Sequence, residues 1–261
     1  ESVLGTDSGM HASCLCRYTL LMVNIKEIVK NMTSRDVGLI RKSGLEIINN
    51  SQNEDFIALI IPYREEIFNA TRNLKLGGAF ATNNRFYEFP LEVIDFHKEL
   101  THTDKENTVC TCDLYLKSYS DFDPNKEGEN PTVELFAKGI GDYTHIYGLI
   151  CNKCNNRFHV SERHYHYIWY QWHPLIHDFD PPKYSTEADK ALKLYMDIIY
   201  TALDERNKQK NELSFHLSNI AYFVNRLKSS EESNYDSIME SWKDKIEKAK
   251  SDLNREIKNK V

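Results

Sequence analysis

Six cysteines arranged as three close pairs constrain this chain more than any other feature. They are Cys14-Leu-Cys16, Cys110-Thr-Cys112 and Cys151-Asn-Lys-Cys154. Cysteines that merely fill a core have no reason to sit two or three residues apart. Two thiolates on one tight turn can reach the same tetrahedral ion at about 2.3 Å, and a four-coordinate site joins two such turns. The Cys110/Cys112 and Cys151/Cys154 pairs are separated in sequence by enough chain for a few strands folded between them. The expected centre is therefore a structural Zn2+ bound by Cys110, Cys112, Cys151 and Cys154. A variant of this reading replaces one thiol with His159 or draws in Cys14 and Cys16. Two others stand beside it: a redox-active pair of Cys151 and Cys154, whose first thiol would be acidified, and structural disulfides in a secreted protein.

The residues around the second pair support a turn. Tyr147-Gly-Leu-Ile leads in as a strand, and Asn155-Asn156 can take the left-handed backbone such a turn requires. Phe158 then leads back into a strand. Over about a dozen residues this segment resembles the knuckle of zinc-ribbon and treble-clef modules. Val109-Cys-Thr-Cys-Asp-Leu-Tyr-Leu alternates as a strand would.

Two further resemblances concern redox chemistry. Phe223-Val-Asn-Arg-Leu-Lys228 and the stretch from Tyr235 through Trp242 are faintly similar to the tail of flavin-linked sulfhydryl oxidases. Ala221 and Tyr222, however, stand where that family places His and Asn, and no Trp-x-x-x-His precedes the CxxC. The CxC and CxxC pairing also resembles that of zinc-dependent redox-switch chaperones, with longer spacing.

Seven of the ten histidines lie between His145 and His216. The densest run, His159, His164, His166, His173 and His177, is interleaved with Tyr165, Tyr167, Trp169, Tyr170 and Trp172. Alternation through His164-Tyr-His-Tyr-Ile-Trp-Tyr-Gln-Trp predicts one strand with two unlike faces, its rings packed on the zinc module. A partner-binding surface or a second metal or acid–base site are the competing readings.

The remainder predicts a mainly helical α+β protein. Residues 1–182 form an α/β body holding a zinc-ribbon or knuckle-like module at about 105–180, and residues 183–261 a helical C-terminal module. In the body, Tyr18–Met32 has helical spacing and Thr33–Asp36 offers a helix cap. Phe56–Ile61 is a buried strand, and Asp121–Pro131 is an exposed polar loop. In the C-terminal module, Ala188 to Leu203, Leu213 to Leu227 and Ile238 to Ile257 each keep one apolar stripe at helical spacing. The last stripe is narrow enough to serve a coiled coil or homodimer seam.

Composition then limits function. The longest apolar run has six residues, whereas a membrane span needs about 20. Net charge is −6, without the basic surplus of a nucleic-acid binder. Phosphate-loop, nucleophile-elbow and His-Glu-x-x-His motifs are absent. Abundant Asn, Lys and Ile with few Gly and Pro match the composition of AT-rich viral or protist genomes. The expectation is an intracellular zinc-stabilised interaction or assembly protein rather than an enzyme, with secretion as the alternative location. Its partners would be other proteins or a second copy through the C-terminal helices. The alternatives are a thiol-disulfide oxidoreductase using Cys151 and Cys154, and a zinc-dependent nucleic-acid regulator with a basic face at Lys138, Lys153, Arg157 and Arg163.

Overall fold

The structure is a computed structural model and describes residues 24–78, 83–102, 109–117, 122–141, 144–164, 168–179, 186–204, 210–229 and 235–260. Helices dominate, and one four-stranded antiparallel sheet accompanies them, so the mainly helical α+β class holds. No helix among the described residues is long and apolar enough to cross a membrane. The chain forms two compact units, residues 1–114 and 115–261, whereas the sequence pattern suggested a boundary at 182/183.

The first unit is helical in its described part. Helix α1 covers 24–32, followed by α2 (Val37–Asn49), α3 (Glu54–Ile60), a 3-10 turn (Ile61–Tyr63), α4 (Arg64–Thr71) and α5 (Arg85–His102). Asp36 caps α2 by accepting from the Leu39 amide, as the cap chemistry at 33–36 predicted. Ile25, Ile28, Met32, Ile40, Ile47, Val93 and Ile94 are buried with essentially no exposure. The Phe56–Ile61 run is helix α3 rather than a strand. The reason is local: the Asn53 side chain accepts from the Phe56 amide, and Glu54 and Asp55 occupy the first turn, where the helix dipole favours anions. Helices α2 and α5 come together at a backbone contact. Pro90 has no N–H to offer the Phe86 carbonyl one turn earlier, and a Cβ on Gly44 would fall 2.1 Å from that same oxygen. Only glycine fits there.

The chain then passes through a 3-10 turn (Thr111–Asp113) into α6 (Leu114–Lys117). The strand expected from Val109 onward is thus a tight turn and a helical turn. The next loop is also partly helical, as α7 (Pro124–Gly128), capped by Asp123 accepting from the Asn125 amide.

The second unit is built on a meander of β1 (Val133–Gly141), β2 (Thr144–Cys151), β3 (Arg157–His164) and β4 (Ile168–Leu175), in that spatial order. The histidine-aromatic stretch is therefore two strands, because His164 pairs with Ile168 across a hairpin. Pro174 is tolerated because β4 is an edge strand. Helices α8 (Glu187–Asp204), α9 (Lys210–Ser229) and α10 (Tyr235–Asn259) follow, matching the three predicted apolar stripes. With Ala137, Ile146 and Leu175 of the sheet they form one core containing Leu192, Leu194, Ile199, Leu213, Ile220 and Trp242. Gly148 lets α8 settle onto the sheet; a Cβ there would lie 2.6 Å from the Phe136 ring and 3.0 Å from Leu194. Thr186 and Asp189 cap the start of α8 reciprocally, the Asp189 amide donating to Thr186 Oγ1 (3.1 Å) and the Thr186 amide to Asp189 Oδ2 (3.1 Å). Trp242 Nε1 donates to the other oxygen of Asp189 at 2.8 Å, tying α10 to α8. The stripe of α10 is consequently buried in its own unit: Ile238, Trp242, Ile246, Ala249 and Leu253 all face this core.

Candidate metal centre

The four cysteines singled out by their spacing come together. The Sγ atoms of Cys110, Cys112, Cys151 and Cys154 all lie within 4.8 Å of one another. Two local devices achieve this. Cys110 is extended at the head of the 3-10 turn, which places Cys112 one short step on. Cys151 ends β2, and the chain reverses immediately: the Asn155 amide donates to the Cys151 carbonyl (2.9 Å) and the Cys151 amide to the Asn156 carbonyl (2.7 Å). Asn155 takes a φ of 61°, the left-handed conformation its side chain tolerates. Cys112 and Cys151 are buried, Cys110 is half-buried and Cys154 is exposed.

This donor set fits a metal ion. Tetrahedral ligation at a metal–sulfur distance of about 2.3 Å puts sulfurs about 3.8 Å apart, a small contraction from the observed spread. Four thiolates would complete the tetrahedron and leave no position for a water or substrate. His159 is not in the group; its ring stacks on His173 at 4.8 Å. Cys14 and Cys16 lie outside the described residues, as does His166.

Aromatic rings back the turn, as the packing reading of the histidine-aromatic segment expected. Tyr115 stacks on Trp172 (4.2 Å, 11°) and meets Phe122 and Phe158 edge-on. Trp172 Nε1 donates to the Phe122 carbonyl at 2.9 Å. Phe158 and Trp172 stand on the same sheet face as Cys151.

The sheet divides the histidines between its faces. At the far end of the cysteine face, buried Glu162 accepts from Tyr147 Oη (2.7 Å) and meets His164 Nε2 (2.5 Å) and His145 Nδ1 (3.4 Å). Thr144 Oγ1 donates to the Glu162 carbonyl. Burial disfavours the Glu162 carboxylate, but these hydrogen bonds outweigh it and hold its pKa below the ordinary value. Burial, with Asp123 and Glu162 nearby, pushes Tyr170 up to about 12. His159 and His173 occupy the opposite face, where His216 of α9 approaches. His177 lies after β4 against Tyr200, so His173 and His177 form no helical pair. Sequence spacing did not reveal Glu162 or His216 as neighbours of the histidines, since strand register and helix packing bring them close.

Of the basic residues proposed for nucleic acid, Arg157 and Arg163 stand on the same face of β3, whereas Lys138 stands on the other. Arg157 is tied to Asp197 (2.6 Å) and Asp178 (2.8 Å), and Lys138 lies over the Tyr147 ring on the cysteine side. Arg163 lies over Phe215 on the helical side. No protein family, curated protein or solved structure matches the chain.

Proposed function

We propose that this is a zinc-stabilised structural and interaction protein, in which Cys110, Cys112, Cys151 and Cys154 hold one Zn2+ in a knuckle like those of zinc ribbons. The convergence of four thiols from two turns carries the reading. Thiolate sulfur selects zinc or iron among the abundant metals, and a site with all four corners filled suits a structural role. Reduced thiols of this kind belong to an intracellular compartment. The ion would pin the 3-10 turn to the β2–β3 turn and organise the ring cluster beside them. Since the α10 stripe is spent on its own core, a partner or second copy would meet the outer surfaces of the C-terminal helices. Tyr222 of α9 is a large side chain exposed there.

Substitution by cobalt tests the site. Tetrahedral cobalt gives intense visible absorption, and thiolate ligands add sulfur-to-metal charge transfer in the near ultraviolet, which oxygen and nitrogen ligands do not give. The proposal expects that spectrum at one equivalent and its weakening in Cys112→Ser and Cys151→Ser. A chain that binds no cobalt, or binds it unchanged in both variants, contradicts the proposal.

A thiol-disulfide role finds support in the exposure of Cys154, which an exchange partner could reach. Cys151, the other half of the pair, is buried. Exchange activity that disappears in a folded Cys154→Ser variant would favour this second reading.

A further inference from the structure

A second polar cavity lies away from the cysteines, on the opposite face of the sheet. Alternation along β3 and β4 places His159, Ser161 and Arg163 beside Gln171 and His173 on that face, with His159 opposite His173 and Ser161 opposite Gln171. The first turns of α9 close over them with Glu212, Phe215 and His216, leaving a cavity of about 240 Å³. A water occupies about 30 Å³ of liquid, so the space holds a tetrahedral oxyanion and a small organic group.

The lining is chemically specific. The Arg163 guanidinium lies over the Phe215 ring, 4.4 Å from its centroid, which fixes the fork in place. Burial pushes the Arg163 pKa down while the field of Glu212 opposes that shift, so its charge sits in a partly dry setting. Among the described residues Arg163 makes no ion pair, although it carries five donors. A fork of this kind matches the oxygens of phosphate or carboxylate. His159, 94% buried (relative exposure 6%), and His173 line the same cavity. Glu212 adds the one acceptor charge.

Donors and a carboxylate together discriminate between anions. A phosphate group that keeps a proton can accept from Arg163 and the imidazoles while donating its own O–H to Glu212. Sulfate has no proton to donate and would meet the carboxylate as a like charge. We propose that this cavity binds a protonated phosphate group, gripped by Arg163 with His159, His173 and His216 and selected by Glu212. The proposal is independent of the metal centre.

The test is calorimetric titration of the full metal-loaded chain at low ionic strength and about pH 6, near the second ionisation of phosphate esters. Inorganic phosphate, phenyl phosphate and sulfate serve as probes. Saturable binding of both phosphates, with sulfate at least about tenfold weaker, is expected. Tighter binding of phenyl phosphate would point to an ester held against Phe215, and tighter binding of inorganic phosphate to the free ion. Arg163→Gln is expected to weaken phosphate by about tenfold or more, and Glu212→Gln to narrow the gap between phosphate and sulfate. Equal affinity for sulfate in the unaltered chain, absence of saturable binding, or full phosphate affinity in Arg163→Gln would each overturn the proposal. The anion comparison needs no variant, so it decides even if Arg163→Gln fails to fold.

Discussion

Asp197 shows how one residue can hold several parts of the second unit at once. Its side chain is fully buried, yet it accepts from Arg157 of β3 (2.6 Å), from Lys193 one turn earlier in α8 (2.8 Å) and from the Phe179 amide (2.6 Å). Two cations and a loop amide thus share one buried carboxylate. Breaking a buried pair costs about 3–5 kcal/mol, and because exposed Asp178 also contacts Arg157 (2.8 Å) and Lys193 (2.6 Å), the loss here falls near the lower end, about 3 kcal/mol. Asp197→Ala is expected to lower stability by that amount in denaturant titration. A loss under about 1 kcal/mol would show that solvent replaces the carboxylate readily. Gly148 is a second such position. Since a Cβ would fall 2.6 Å from the Phe136 ring, Gly148→Ala must displace that ring, over which Arg157 also lies. Overpacking of this kind costs about 1–3 kcal/mol, readable as a shift of the urea midpoint at unchanged slope.

At the scale of elements, the sequence was informative where pattern and length coincided. The stripes of α8, α9 and α10 run for 18, 20 and 25 residues, long enough for period and burial to agree. Phe56–Ile61 was ambiguous because a run of six apolar residues fits a buried strand or a helix equally, and only the Asn53 cap favours the helix. The alternation at Val109–Leu116 misled because the cysteine turn, rather than a sheet, places those side chains. The strand pair hidden in the histidine stretch was missed because its hairpin interrupts an otherwise continuous alternation. The cysteine centre was legible because each pair is local. The Glu162 cluster was not, since it joins β2 and β3 through register. That cluster carries a pH dependence. The Glu162 pKa is lowered in the folded chain, so its stabilisation is present above the unfolded value of about 4.3 and is lost as pH falls through the folded value. Glu162→Gln is expected to flatten the acid limb of a stability–pH profile below about pH 4.3. An acid limb of unchanged steepness would assign acid lability to other carboxylates, such as Asp178, which Lys193 and Arg157 also hold low.

At the scale of the whole molecule, the account rests on metal binding as part of folding. A site of four thiolates is absent from the unfolded chain, so the binding free energy of the ion adds to folding stability. Chelation should therefore lower the melting temperature and also change the fluorescence of Trp172, which stacks on Tyr115 in the ring cluster behind the centre. A melting temperature insensitive to strong chelators would remove the ion from the stability of the fold. The most direct test is the metal content of the purified chain by native mass spectrometry, paired with thiol counts before and after chelation. The account predicts one zinc per chain, with Cys110, Cys112, Cys151 and Cys154 protected from alkylation until the metal is stripped. A metal-free chain whose four thiols alkylate at once, or emerge already paired as disulfides, would contradict it.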